Sequence, residues 1–204
     1  PARRRRSPQR MSRRFALCAW AALMAACTST PSVQEWHGPS PEQLVAGIRA
    51  AGAFAPGELD VQPLRDPMVE DLRVQATQFE RRQRYADAAA ALDKALAISP
   101  DDPGLLQERA EVAVLQKDLD KAGTLARNAY ALGAKVGPLC RRHWATIRQQ
   151  LALRQSRLQL PAGGKRLKGD KLAQWLRDQS DTNVAIAVAA RYQSDCTLTG
   201  PPRY

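Results

Sequence analysis

The sequence predicts an all-α protein built as a short stack of helical hairpins. The first observation is a period of 34 residues within 69–136, a length typical of two-helix repeat units. The second is that apolar residues within each copy stand four and three places apart, as on one face of an α-helix. The third is an alanine-rich composition with only 5% aromatic residues, which favours close helix–helix contacts. The recurring positions are Leu72, Ala76, Phe79, Ala88, Leu92 and Ala95, and then Leu106, Ala110, Ala113, Ala122, Ala126 and Ala129.

Residues 41–68, ahead of the repeats, are predicted to form a short helix and an irregular loop. Ser40 and Gln43 have the spacing of a capping box, and Pro41 suits the first position of a helix. Two glycines and three prolines within 52–67 argue against regular structure there. The chain is therefore expected to reach the repeats through one helix and a loop.

The two repeats of 69–136 carry their own start and stop signals. Pro100 closes the first copy, while Asp102 and Pro103 supply an N-cap and a first helical residue for the second. Small residues at matched positions let two helices pack with their backbones close together. Two hairpins alone would leave an apolar end uncovered, so a further element is expected to cap the stack.

Residues 137–204 are predicted to supply that cap as a degenerate third hairpin. Its first helix is expected over 138–153, with Trp144 where the preceding copies have alanine. The segment 154–182 is rich in Arg, Lys, Gly and Gln, and we predict that it is an inserted, exposed basic loop. Residues 184–192 then favour a helix, although their β-branched side chains also permit a strand.

The repeats resemble the tetratricopeptide repeat family. The family's small, aromatic and proline positions fall in the first copy on Ala76, Phe79, Ala88, Ala95 and Pro100. The second copy departs from the pattern at Ala113 and Ala134. A plain helical bundle with alanine-rich seams is the alternative interpretation.

This resemblance implies a binding protein whose first helices line a concave groove. The groove positions of the family fall on Arg73, Thr77, Glu80, Arg81, Gln107, Glu111, Arg141 and Arg148. Their mixed charge suggests an extended or C-terminal segment of a protein or peptide partner in the cell envelope. The Lys and Asn residues of chaperone-binding members are absent from these positions, so that activity is not implied.

The N-terminus has the features of a secretory signal. Residues 1–26 combine a basic start with an apolar run that is too short to cross a bilayer, and residues 1–10 look like an over-extended start. Met24-Ala25-Ala26-Cys27 resembles a bacterial lipobox, which implies that Cys27 is lipidated. An ordinary secretory peptide, cut near Ala26, is the alternative.

The lipobox also implies where the protein resides. Residues 27–40 would form a lipidated tether between the membrane and the body. Thr28 follows the cysteine in place of an aspartate, which by analogy favours the outer membrane, with the body facing the periplasm. The expected membrane contact is this N-terminal lipid.

The remaining cysteines are predicted to pair. Cys18 lies in the signal and Cys27 is the anchor, which leaves Cys140 and Cys196 for a disulfide bond in an oxidising compartment. Two separate buried thiols are the alternative. No Cys/His cluster in the sequence indicates a metal site, and no catalytic or phosphate-binding motif is present, so we expect neither enzyme activity nor a cofactor or small-molecule substrate.

The strong basic charge does not indicate a nucleic-acid partner. Seven of the arginines lie in residues 1–26, and without them the net charge falls from +11 to +4. The remaining excess lies towards the C-terminus. There Lys165, Arg166 and Lys168, with Trp175 nearby, suggest a second hypothesis, in which the basic loop binds anionic lipid or cell-wall polymer. The sequence thus predicts a non-catalytic protein-binding adaptor, with a peripheral surface binder as the alternative.

Overall fold

A computed structural model describes residues 39–55, 58, 64–158 and 167–197, and within these residues it contains seven α-helices and no strand. The all-α prediction is therefore confirmed. The helices are α1 (Pro41–Ala51), α2 (Pro67–Arg81), α3 (Tyr85–Ile98), α4 (Pro103–Leu115), α5 (Leu119–Leu132), α6 (Pro138–Arg157) and α7 (Asp170–Asp195). The predicted signal peptide and Cys27 lie outside the described residues. Of the helices that are described, none is both long and apolar enough to span a membrane.

The repeat of the sequence is also a repeat of the backbone. Helices α2 and α4 end 34 residues apart, and α3 and α5 both begin and end 34 residues apart. Each turn contains one residue with positive φ, Gln83 at 58° and Lys117 at 65°, again 34 positions apart. In both turns the following amide, of Arg84 or Asp118, donates to a carbonyl five residues earlier, which closes the preceding helix. Consecutive hairpins then stack, because α3 packs on α4 and α5 packs on α6.

At the starts of four helices, α1, α2, α4 and α5, a side chain accepts hydrogen bonds from free backbone amides. Ser40 and Gln43 form the predicted capping box at α1. The carboxylates of Asp66, Asp102 and Asp118 accept hydrogen bonds from the first turns of α2, α4 and α5. Helix α2 therefore begins two residues before the predicted start of the first repeat.

Alanine forms the contact seams within and between the two repeats. Ala88, Ala95, Ala110, Ala122 and Ala126 are all fully buried, and the same is true of Ala113 and Ala129. Methyl-sized side chains at these positions bring the helix axes close together, so stabilisation comes from many short contacts rather than from a few large side chains. Leu92 of α3 and Leu105 of α4 add larger buried side chains to the core where the two repeats meet.

The C-terminal hairpin differs from the prediction. We predicted an exposed loop over 154–182, and the loop assignment is wrong for 154–157, which belong to α6, and for 170–182, which belong to α7. Residues 159–166 of this segment lie outside the described residues. Lys, Arg, Gln and Leu are good helix formers, so a segment can be both basic and helical when one of its faces packs. Trp175 supplies such a contact, since its indole nitrogen donates to the carbonyl of Leu158. Residues 184–192, for which the sequence permits a helix or a strand, are helical and belong to α7.

A disulfide and an aromatic stack hold α7 against α6. Cys140 and Cys196 are joined by a bond of 2.03 Å, and both are buried. Trp144, in the position where earlier copies have alanine, stacks on Tyr192 of α7 with ring centroids 4.7 Å apart. Its edge contact with Tyr130 of α5 has a centroid distance of 4.9 Å. The large indole therefore fills the space between the second repeat and α7.

Candidate binding site on the inner face

The inner face of the stack is formed by α2, α4 and α6, and α1 lies on part of it. Helix α1 packs against α4 and α6. Its apolar residues Leu44, Val45 and Ile48 are buried in this contact, with Ile48 fully enclosed. The groove expected from the sequence is thus partly filled by a helix of the chain itself, because α1 brings an apolar face that must be covered.

Arg49 connects α1 to two other helices. Its terminal nitrogens donate to the Glu80 carboxylate at 2.7 and 3.0 Å, and its Nε donates to Glu111 at 2.8 Å. Burial works against the charge of this guanidinium, yet the hydrogen bonds and charges of the two glutamates outweigh it and raise the pKa of Arg49. Arg49 is therefore a fixed cation between α1, α2 and α4.

Glu111 is a fully buried carboxylate at the centre of this network. In addition to Arg49, it accepts hydrogen bonds from Nε and Nη2 of Arg142, at 2.9 and 2.6 Å, and from the side-chain amide of Gln107 at 2.9 Å. Gln107 also donates to Thr146 at 2.9 Å. A buried carboxylate needs partners of this kind because its desolvation is otherwise unfavourable. The network fixes the positions of the side chains that face the cleft.

The surroundings of His143 suit a structural role and not the role of a general acid or base. Its Nδ1 is 2.8 Å from the side-chain oxygen of Gln107. Because the side-chain nitrogen of Gln107 donates to Glu111, this oxygen acts as the acceptor and Nδ1 carries the proton. Burial, with the charges of Arg142 and Lys135, lowers the pKa of His143 to about 3. The imidazole is thus neutral at physiological pH, and it is fully buried.

An open cleft of about 380 Å³ remains beside α1. Its lining is Arg49, Gly52, Arg73, Ala76, Thr77, Glu80, Leu92, Glu108, Val112 and Arg142. Arg73 donates to Glu108 and to Glu70, and these two carboxylates raise its pKa despite partial burial. The rim is therefore a set of paired arginines and glutamates around a small apolar floor.

Arg141 holds the end of α1 instead of facing the cleft. It donates to the carbonyls of Ala51 and Ala53 at 3.1 and 2.7 Å, and to both oxygens of Glu58 at 2.6 and 2.7 Å. The hydrogen bonds from Arg141 lower the pKa of Glu58 to about 2. A cation at the carbonyl end of a helix is also favoured by the helix dipole.

The structure divides the predicted groove residues into two groups. Arg73, Thr77 and Glu80 lie together on the cleft. The others lie elsewhere: Gln107 and Glu111 are buried beneath the cleft, Arg141 holds α1, Arg148 donates to Gln193 of α7, and Arg81 is exposed at the end of α2.

Sequence reasoning missed three charged residues of the cleft. Arg142 is adjacent to the predicted Arg141, and Glu108 is adjacent to the predicted Gln107, so small shifts in helix phase account for both. Arg49 carried no signal, because only the docking of α1 brings it to the cleft. No group of three potential metal ligands occurs among the described residues.

No protein-family model matches the chain, and no curated protein is detectably similar to it.

Proposed function

We propose that the protein is a lipid-anchored adaptor of the bacterial outer membrane, facing the periplasm, that binds a protein or peptide segment and catalyses no reaction. Its helical hairpins would be tetratricopeptide-type repeats. The observation that carries the proposal is the cleft beside α1, which is open and lined by paired charges on four helices, α1, α2, α4 and α6.

The cleft chemistry suits a polar, extended peptide. The Arg49 side chain is 45% exposed although it already contacts two carboxylates, so a guanidinium edge remains accessible. A carboxylate of a partner could share Arg49 or Arg73, and peptide amides could donate to Glu80 or Glu108. The apolar floor of Ala76, Leu92 and Val112 is small, which favours a chain with small side chains over a bulky apolar ligand.

The anchor would hold this cleft near the membrane. Helix α1 begins at Pro41, and the thirteen residues between it and Cys27, 28–40, allow a distance of at most about 50 Å when extended. Lipidation at Cys27 would therefore concentrate the body within that distance of the outer membrane. A partner bound in the cleft would be held within the same distance of the membrane.

Thr77→Arg is the variant that tests the cleft. Thr77 lines the cleft and is exposed, and its hydroxyl donates only to the carbonyl of Arg73 at 3.0 Å, so a long side chain would block the site without breaking an ion pair. Thr124→Arg is the matched control, because the exposed Thr124 hydroxyl on α5 likewise donates to a backbone carbonyl, that of Asp120, at 3.0 Å and otherwise accepts only a long bond of 3.4 Å from Arg127.

The experiment is a cross-linked pull-down of the full chain from membranes. We expect a captured envelope protein to be retained by Thr124→Arg and reduced at least about tenfold by Thr77→Arg. Cys27→Ala should abolish membrane association but leave binding to the purified partner intact. Equal capture by the two threonine variants would refute binding in the cleft.

Binding of anionic lipid or cell-wall polymer through the basic segment stays the competing proposal. Lys168 and Lys171 are exposed at the start of α7, while Lys165 and Arg166 lie outside the described residues. Replacing Lys165, Arg166 and Lys168 by Gln would release the Cys27→Ala protein from anionic vesicles under this proposal. Under the adaptor proposal those changes would leave capture of the protein partner unaffected.

A further inference from the structure

The outer face of α7 carries a regular seam of six exposed residues. They are Arg177, Asp181, Val184, Val188, Arg191 and Asp195, and we call them the outer seam. Their spacing alternates between four and three residues, which is the spacing of the contact line in a two-helix coiled coil. Because this average of 3.5 is close to the helical repeat, all six side chains lie on one side of the helix.

The opposite side of α7 makes the contacts with the rest of the protein. Thr182, Ala189 and Cys196 are buried on the side that packs against α6. The two valines of the outer seam remain 60% and 43% exposed. Adjacent exposed valines at the centre of a helix face, with charges at both ends, have the layout of a small interface with an apolar centre and a polar rim.

We propose that the outer seam docks with the outer seam of a second copy of this chain, with the two α7 helices antiparallel and related by a two-fold axis. In an antiparallel pair, residues near one end of a helix face residues near the other end of its partner. When Val184 is set against Val188 of the second copy, Asp181 faces Arg191 and Arg177 faces Asp195. Each of these contacts occurs twice because of the symmetry.

The order of charges selects this arrangement over its alternatives. Parallel helices would place Arg177 against Arg177 and Asp181 against Asp181, and like charges in contact are unfavourable. An antiparallel pair shifted by one heptad would place Arg177 against Val188 or Asp195 against Val184. Of these three arrangements, only the proposed register gives every charge of the seam an opposite charge and every valine an apolar partner.

The energetics predict a weak dimer with a well-defined orientation. Nineteen residues of helix span about 28 Å, so the contact is at the small end of stable interfaces. The two valines, with Tyr192 beside them, supply the apolar area. The exposed ion pairs add little affinity but penalise wrong pairings. The Nε of Arg191 and the Oδ2 of Asp195 are 3.8 Å apart on the same helix, so this ion pair is loose and both side chains can turn to face a partner.

A charge exchange within the seam tests the register. Asp181→Arg places two arginines together in both symmetric contacts, and Arg191→Asp places two aspartates together. We expect each single variant to raise the dissociation constant of the dimer at least about tenfold. The double variant restores opposite charges across the axis, and its dissociation constant should return to within about threefold of the wild-type value. The measurement is sedimentation velocity of the full chain in mild detergent over a range of concentrations.

Val184→Glu tests the apolar centre of the seam, and its matched control is Val74→Glu, at a valine 49% exposed on α2. Val184→Glu should give a monomer at every concentration, while the control should dimerise as the wild type does. Far-UV circular dichroism checks that every variant keeps its helices. A wild-type monomer at all accessible concentrations, or a double variant as weak as the single variants, would overturn the proposal. So would loss of a different envelope protein from the Val184→Glu pull-down without any change in self-association.

This dimer is independent of the cleft. Val184→Glu should not affect capture of a partner by the cleft in a monomeric assay, and Thr77→Arg should not affect self-association. The two proposals can therefore fail separately.

Discussion

The two repeats, α2 to α5, and the C-terminal hairpin, α6 and α7, share an architecture but are held together by different contacts. In the repeats, fully buried alanines such as Ala95 and Ala126 bring the helices together. In the C-terminal hairpin, the Trp144–Tyr192 stack and the Cys140–Cys196 bond replace the alanine seam. A stack can therefore end in a helix that does not obey the small-residue pattern, provided that another contact fixes its position.

Removing the disulfide should give the largest effect on stability, with the greatest local loss of protection in the C-terminal hairpin. The bond joins residues 56 positions apart, and closing a loop of this length stabilises by roughly 4 kcal/mol on the chain-entropy model. We expect Cys140→Ala with Cys196→Ala to lower the free energy of unfolding by that order, measured by urea denaturation. If hydrogen exchange showed the loss in α2 to α5 instead of α6 and α7, the proposed difference between the regions would be wrong.

Enlarging an alanine should be damaging in the repeats and harmless just beside the seam. Ala95 is fully buried on α3, whereas Ala97, two residues further along the same helix, is exposed. Ala95→Leu should cost about 1 to 3 kcal/mol by overpacking, while Ala97→Leu should change stability by less than about 0.5 kcal/mol. Thermal unfolding followed by circular dichroism measures both variants. Equal effects would mean that the seam has room and that close backbone contact is not required.

Acid should weaken the attachment of α1 to the C-terminal hairpin, with the smallest effect of the three. Because Arg141 lowers the pKa of Glu58 from 4.5 to about 2, the pair stabilises the fold above pH 4.5, and this contribution is lost as the pH falls towards 2. Glu58→Gln should remove that part of the pH dependence. The variant should be less stable than the wild type, and its free energy of unfolding should change less between pH 5 and 2. Glu70→Gln is the control, since the Glu70 side chain is half exposed and accepts a hydrogen bond from Arg73, three residues further along the same helix. Unfolding by urea at several pH values distinguishes the two variants.

Local patterns predicted most of the helices because their causes are local. The side chains of Ser40 and Asp102 accept hydrogen bonds from amides three residues further along the chain, so both helix starts can be recognised in the sequence. The basic character of 154–182 misled the prediction of structure there. A high charge indicates that a segment is in contact with water, but it does not show whether one face of that segment is buried. Here Trp175 packs one face of α7 against the end of α6, where its indole nitrogen donates to the carbonyl of Leu158.

The candidate site was less predictable because its residues meet only after the helices pack. Gln107 and Glu111 have the polar character of groove residues in the sequence, yet both are fully buried because Arg49, Arg142 and His143 enclose them. No pattern within α4 distinguishes a solvated glutamate from one that is buried with two arginines.

The sequence by itself determined the 34-residue repeat, the alanine seams and the main helix starts, since these depend on periodicity and on bonds between near neighbours. Only the tertiary structure decided where α1 lies, which arginines face the cleft and which side of α7 stays exposed. An amphipathic helix specifies that one face must be covered, but the surface that covers it is fixed by shape and charge contributed from distant parts of the chain.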